Sequence, residues 1–206
     1  MTASGHSLRS LTIALAIAAA LAGSMRGATA DSNSIGMLFT SDRQPSDFAD
    51  PKNMKYELNG AHAFANGWNV GGSFVYNDHA FSSRASQNLE GTIGYRLPLN
   101  QALSVFGSGG LGEHWREHEH PNNEFPYYVL RVGADLDLTR TVTWNVITFR
   151  YRDAFNPSDN FNTPQVATGF SFKLDEQRTV MTKIMRNWHD GSPSSTGVAL
   201  GFKQGF

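Results

Sequence analysis

The chain has 206 residues, with 17 Lys+Arg against 18 Asp+Glu, 40% hydrophobic and only 17% charged side chains, and no cysteine. That length suits one domain, and the charged content falls below the ~25% usual in soluble proteins. The missing thiols exclude disulfides and thiolate metal centres, and the balanced charge leaves no basic stripe for nucleic-acid phosphates.

At the N-terminus, Arg9 precedes an apolar run from Leu11 to Gly23, and Ala28-Thr29-Ala30 supplies small residues around a cleavage point. This pattern predicts a signal peptide over residues 1–30, with the mature chain starting at Asp31. The run is too short for a spanning helix, and nothing after residue 30 approaches the ~20 apolar residues one needs. Arg9 and Arg26 leave with the leader, so the formal net charge of −1 becomes −3.

Ser34 to Thr40 alternates weakly, with Ile35, Met37 and Phe39 on one face, and the proline-bearing segment Ser41 to Asn53 reads as a loop. Met54 to Phe64 alternates again, with Met54, Tyr56, Leu58 and Phe64 against Lys55, Glu57 and Asn59; Asn66-Gly67 is a hairpin signal. Trp68, Val70, Phe74 and Tyr76 mark the next strand, and His79 to Arg84 a short loop. Leu89, Ile93, Tyr95 and Leu97 alternate with Glu90, Thr92 and Arg96 before a turn at Pro98 to Asn100. Leu103, Val105 and Leu111 form a strand thinned by glycines, and Glu113 to Glu124 reads as a long polar loop.

The clearest pattern follows. Tyr128, Leu130, Val132, Ala134, Leu136 and Leu138 are apolar, with Arg131, Gly133, Asp135 and Asp137 between them. Period two of this kind is a strand with one greasy and one polar face. After a turn at Thr139 to Thr141, Val142, Trp144 and Val146 resume the pattern, and the phase then slips by one to Ile147, Phe149 and Tyr151, opposite Arg150 and Arg152. One extra residue of this sort marks a β-bulge. Ala154 to Asn162 is a loop; Val166, Phe170, Phe172 and Leu174 form a strand opposite Lys173; Asp175 to Gln177 is a turn; Val180, Ile184 and Trp188 lie opposite Lys183. His189 to Ser194 reads as a long loop, and Val198, Leu200, Phe202 and Phe206 end the chain.

Oil on one face with arginine and aspartate on the other points to an all-β, antiparallel, membrane-spanning barrel over residues 31–206. Short turns at 65–67, 98–100, 139–141 and 175–177 alternate with longer loops at 44–53, 79–84, 114–124, 154–162 and 189–194, so ten strands are expected, with both termini on the short-turn side. Eight is the alternative, should the 34–64 hairpin be irregular or lie inside as a plug. Phe64, Trp68, Tyr95, Trp144 and Phe206 fall near one rim and Tyr56, Tyr76, Tyr128, Tyr151 and Trp188 near the other, as two interfacial girdles require. A soluble lipocalin-like barrel with its apolar face turned inward is the competing fold.

Phe206 is last, with Phe202, Leu200 and Val198 at alternating positions before it. This terminus resembles the C-terminal signal of small bacterial outer-membrane β-barrels, read by their assembly machinery; Gln204 departs from the bulky residue usual there. The resemblance covers residues 31–206. It implies a porin-like Gram-negative outer-membrane protein, reached by export through the periplasm, with lipid bilayer, lipopolysaccharide and assembly machinery as partners. A monomer is expected, with no cofactor and no nucleic-acid partner.

The inward face carries Lys55, Glu57, Glu90, Arg96, Arg131, Asp135, Asp137, Arg150, Arg152, Lys173, Lys183 and Lys203. In a barrel this narrow, such charges either pair across the lumen as a rigid filling or line a narrow passage for small solutes. His114, His118 and His120, set among glutamates, are weak candidates for zinc or copper. Asp78-His79 and His189-Asp190 stand at outer strand ends, where an outer-membrane hydrolase, omptin-like or lipid-A-modifying, keeps its site. The Asp-x-His spacing of omptins is absent, and no serine among 82, 83, 192, 194 and 195 is singled out as a nucleophile.

Overall fold

Alternation of period two fixes which face of a strand is greasy, and in the computed structural model that face is turned outward around the whole molecule. The structure describes residues 30–79, 84–117 and 123–206. Ten strands run β1 (Ala30–Arg43), β2 (Pro51–Phe64), β3 (Trp68–His79), β4 (Ala85–Pro98), β5 (Leu103–Arg116), β6 (Asn123–Asp137), β7 (Val142–Ala154), β8 (Gln165–Lys173), β9 (Arg178–His189) and β10 (Ser192–Gly205). Each is antiparallel to its neighbour in sequence, and β1 pairs with β10 to close the barrel. Asn33 and Phe206 exchange backbone hydrogen bonds of 3.1 and 3.0 Å at that seam. The eight-strand alternative is overturned: β1 and β2 form part of the wall, paired from Ser32↔Ala63 to Asp42↔Asn53. The expected leader falls almost entirely on residues 1–29, outside the described residues.

Ile93, Leu111, Leu130, Val132, Ile184 and Leu200 are each more than half exposed. The buried set is largely polar, including Thr40, Asp42, Asn77, Asn88, Glu90, Gln165 and Asn187. A soluble barrel inverts this arrangement, so the lipocalin-like reading is excluded. Trp68 and Tyr95 meet at 5.3 Å between ring centroids at the turn end, and Tyr128 and Tyr151 at 6.1 Å at the loop end. The phase slip in β7 is a bulge: Ala134 pairs with Ile147 and Asp135 with Asn145, leaving Val146 over.

Four connections at the end where β1 begins and β10 ends are short, at 65–67, 99–102, 138–141 and 174–177. In the last of these, Asp175 Oδ1 accepts from the amides of Gln177 and Arg178 at 3.0 and 2.7 Å. The side chain of Arg178, together with those amides, holds the Asp175 carboxyl below its usual range. Three sequence expectations fail at the opposite end, the first at Ser41 to Asn53, where β1 runs on to Arg43 and β2 begins at Pro51. Glu113 to Glu124 is not one loop: β5 continues to Arg116 and β6 begins at Asn123. His189 to Ser194 is not a long loop either, because Asp190 and Gly191, with φ of 47° and 75°, make a two-residue hairpin turn. Asp-Gly accepts two positive φ angles, which matches the twist of the flanking strands.

Leu130 lies at the middle of β6 and faces outward. Replacing it with Arg is expected to cost about 2–4 kcal/mol in reversible unfolding from phospholipid vesicles, as for a cation at the bilayer midplane. Leu130→Phe is expected to change little. A near-zero cost for the arginine contradicts the assignment of this face to lipid.

Candidate functional site: the barrel lumen

Strands β5 and β6 set the lumen's shape by pairing small residues with large ones: Gly112 opposite Tyr127, Gly110 opposite Val129, Ser108 opposite Arg131. The Tyr127 ring lies over Gly112, where a Cβ would collide with it. Tyr127 and Val129 are thereby fully buried against one wall.

At the loop end this wall is thickened by an aromatic cluster. The segment 155–164 carries a short 3-10 turn, Pro157–Asp159, and then places Phe161 inside the barrel. The Phe161 ring lies 4.6 Å from His114, 5.2 Å from Phe125 and 4.9 Å from Tyr127. The segment is tied down at both sides: Thr163 N donates to Arg152 O, and Trp188 N to Pro164 O, at 2.8 and 2.9 Å. Asn162 Nδ2 donates to Tyr151 Oη at 2.8 Å. Period two gave no indication of Phe161, because a lone ring in a polar loop has no strand phase.

Below the aromatic cluster sits an ionic hub. Glu90 Oε1 accepts from Arg131 Nη2, and Glu90 Oε2 accepts from Arg152 Nη1 at 3.2 Å and Tyr127 Oη at 3.1 Å. Between the neighbouring strands β2 and β1, Lys55 Nζ and Asp42 Oδ2 are 2.5 Å apart, and further along, Arg96 Nη2 on β4 and Asp135 Oδ2 on β6 are 2.7 Å apart. Asp42, fully buried, falls in the segment read from sequence as a loop; Leu38, Thr40 and Asp42 continue one inward alternation. Arg150, Lys183 and Lys203 make no ion pair among the described residues, and the buried Nε of Arg150 has no hydrogen-bond partner there. Glu57 accepts a hydrogen bond from Asn59 Nδ2 at 3.2 Å. Lys173 and Asp137 are exposed near the turn end.

These groups line a cavity of about 510 Å³ that runs from Ser194 and His189 at the loop end to Arg96 and Lys203 toward the turn end. Asn53, Asn77, Asn88, Asn145, Thr148, Gln165 and Asn187 provide neutral amides and a hydroxyl along it. Its cations are Lys55, Arg96, Arg131, Arg150, Arg152, Lys183 and Lys203, and its carboxylates Asp42, Glu57 and Asp135, with Glu90 behind Arg131 and Arg152. Seven positive groups against four negative ones leave the lumen at +3, opposite in sign to the −1 of the whole chain.

The candidate metal and hydrolase residues are arranged otherwise. His114 stands on β5, not in a loop, with Nδ1 donating to Asn88 Oδ1 at 2.8 Å and Nε2 accepting from Arg116 Nε at 3.3 Å. Both of its ring nitrogens are therefore engaged; His118 and His120 lie outside the described residues. Asp78 and His79 are consecutive on β3 and so point to opposite faces, and Asn77 Nδ2 donates to His79 Nε2 at 3.0 Å. His189 Nε2 lies 3.6 Å from Asp190 Oδ2 at the exposed β9–β10 turn. Of the nearby serines, Ser195 Oγ accepts from Asn187 Nδ2 at 2.8 Å; Ser82 and Ser83 lie outside the described residues. Among the described residues, no nucleophile is brought together with its base.

Replacing Glu90 with Gln leaves Arg131 and Arg152 facing each other without compensation. Removing one partner of a buried ionic cluster costs about 3–5 kcal/mol. Tyr127→Phe deletes one hydrogen bond to the same carboxylate, expected at about 1–3 kcal/mol. Unfolding titrations in detergent measure both, and equal small losses contradict the hub.

No family model matches the chain, and no curated protein matches it in sequence. Solved structures share its architecture. The β domain of the Bordetella autotransporter BrkA superposes with a TM-score of 0.54 at 8% identity, covering 84% of this chain and 99% of that one. The NanC porin gives 0.51 at 8% identity, covering 82% and 98%. The KdgM porin gives 0.47 at 14% identity, covering 84% and 99%. At these identities the likeness to BrkA and NanC is one of fold, and it agrees with the outward apolar belt and the closed strand ladder: the chain has the fold of the bacterial outer-membrane β-barrels.

Proposed function

We propose that this chain is an integral outer-membrane protein, exported with residues 1–30 removed, that stands as a monomer and passes small polar solutes through its lumen. The observation that carries this reading is the cavity of about 510 Å³, polar-lined and reaching from the loop end toward the turn end. A lumen meant only to be filled has its charges matched; here three cations are left unmatched beside open volume. The turn end, with both termini, faces the periplasm, and the loop end faces outside, as in single-chain outer-membrane barrels.

Val198 and Leu200 on the seam strand β10, and Phe206 just after it, lie exposed where assembly machinery reads a terminal strand. Lipopolysaccharide is the partner on the outer side. Arg43 and Arg186 both pair with Thr196 in register, on the outward face at the loop end. Arg186 Nη1 donates to Thr196 Oγ1 at 2.5 Å and Pro45 O at 3.3 Å, and Arg43 Nη1 to Ala49 O at 3.4 Å. Neither arginine has a carboxylate partner among the described residues, so both are open to lipid phosphate.

Planar-bilayer recording of the purified mature barrel tests the passage. Discrete current steps are expected, together with swelling of liposomes in arabinose. Phe161→Ala removes the ring that narrows the outer mouth and is expected to raise single-channel conductance. An intact, folded barrel with neither current nor swelling contradicts the reading.

A further inference from the structure

The charges of the lumen are unequal, and the inequality is localised. Arg131 on β6 and Arg150 on β7 are directly opposite in register, and Arg152 follows two residues on, on the same face. Like charges directly opposite one another on a sheet are destabilising. At this patch Glu90 is committed to Arg131 and Arg152 and to Tyr127 Oη. Arg150, between them, keeps a buried Nε without a hydrogen-bond partner among the described residues. Lys183 on β9 lies within electrostatic reach of Arg131 and Arg150 and of Glu57 and Asp135, and forms no ion pair among the described residues. A half-buried cation without a partner costs stability. Arg131, Arg150 and Lys183 border cavity volume with Glu90 committed, Asp135 paired with Arg96, and Glu57 one carboxylate in reach of both Arg150 and Lys183, so an anion that enters that volume stabilises them.

We propose that Arg131, Arg150 and Lys183 form an oxyanion-binding station midway along the lumen, and that the channel selects small carboxylates or phosphate esters over cations. This rests on the passage proposed above and adds the solute class and the residues that set it. Guanidinium groups hold carboxylate and phosphate through paired, charge-assisted hydrogen bonds, and an ammonium adds a point charge. The excess positive potential of the lined cavity draws anions in, and a low-dielectric wall focuses it. Conduction requires the station to be weak enough to release its occupant; Glu57, in reach of Lys183, lowers the net positive charge there.

Two measurements on the full mature barrel separate this proposal from the passage itself. In bilayers under a KCl gradient, the reversal potential is expected to show preference for chloride, and added citrate or inorganic phosphate to reduce the current in a concentration-dependent way. Arg150→Gln and Lys183→Gln, made separately, are each expected to lower the chloride preference, whereas Arg140→Gln, on the turn outside the cavity, leaves it as in the parent protein. In detergent, calorimetric titration with citrate, inorganic phosphate and glucose reads the station without any need for current. Binding of citrate, phosphate or both is expected, weakened about tenfold by Arg150→Gln, with none for glucose. Citrate alone identifies carboxylates as the occupant, and phosphate alone identifies phosphate esters. A conducting barrel that prefers potassium, or a folded barrel that binds neither anion, overturns the proposal. Anion binding without current overturns only the passage.

Discussion

In hydrocarbon a backbone amide without a partner has no water to turn to, so a sheet that enters a bilayer must have no edge. The seam between β1 and β10 meets that requirement, and most of the structure follows from it. Pairing from Ser34↔Gly205 to Arg43↔Thr196 converts nine hairpin contacts into a closed ladder. Once closed, every strand has an inside and an outside, and alternation alone decides what occupies each. Ile184, Leu200 and Leu130 are exposed because lipid is their solvent.

The inside then has the opposite problem, since polar groups there need partners. Strands β5 and β6 each give up side-chain volume, at Gly112 and Gly133, so that Tyr127 and Phe106 of the other strand can lie over them. Glu90 gathers two arginines and a tyrosine into one hub, and Phe161 caps it from the loop above. These contacts make one side of the lumen rigid and leave the other side open. The function read from the lumen follows from this asymmetry: a fixed aromatic and ionic wall facing a polar, cation-rich volume.

Strand number, closure and the apolar belt were legible in the sequence because period two survives wherever one face meets lipid. The bulge at Val146 was legible for the same reason, as a slip in that period. The outer ends of strands were not, because beyond the lipid both faces are polar and alternation loses its contrast. That is why His114 and Asp42 sit on strands although Glu113 to Glu124 and Ser41 to Asn53 read as loops. Asp190-Gly191 carried a usable turn signal, obscured by the polar residues around it. The faces of Arg131, Arg150 and Lys183 follow from alternation, but their partners do not. Which cation is left without a carboxylate depends on register across several strands, and on Tyr127 reaching Glu90 over Gly112.

The chain has no cysteine, so single cysteines can be introduced without background. Spin labels at Leu130, Ile184 and Lys183 in the reconstituted barrel test the orientation on which everything here depends. Labels at 130 and 184 are predicted to collide with oxygen dissolved in the bilayer and to be shielded from a water-soluble nickel chelate, with the label at 183 showing the reverse. Nickel-accessible labels at 130 and 184, beside an oxygen-accessible label at 183, contradict the account.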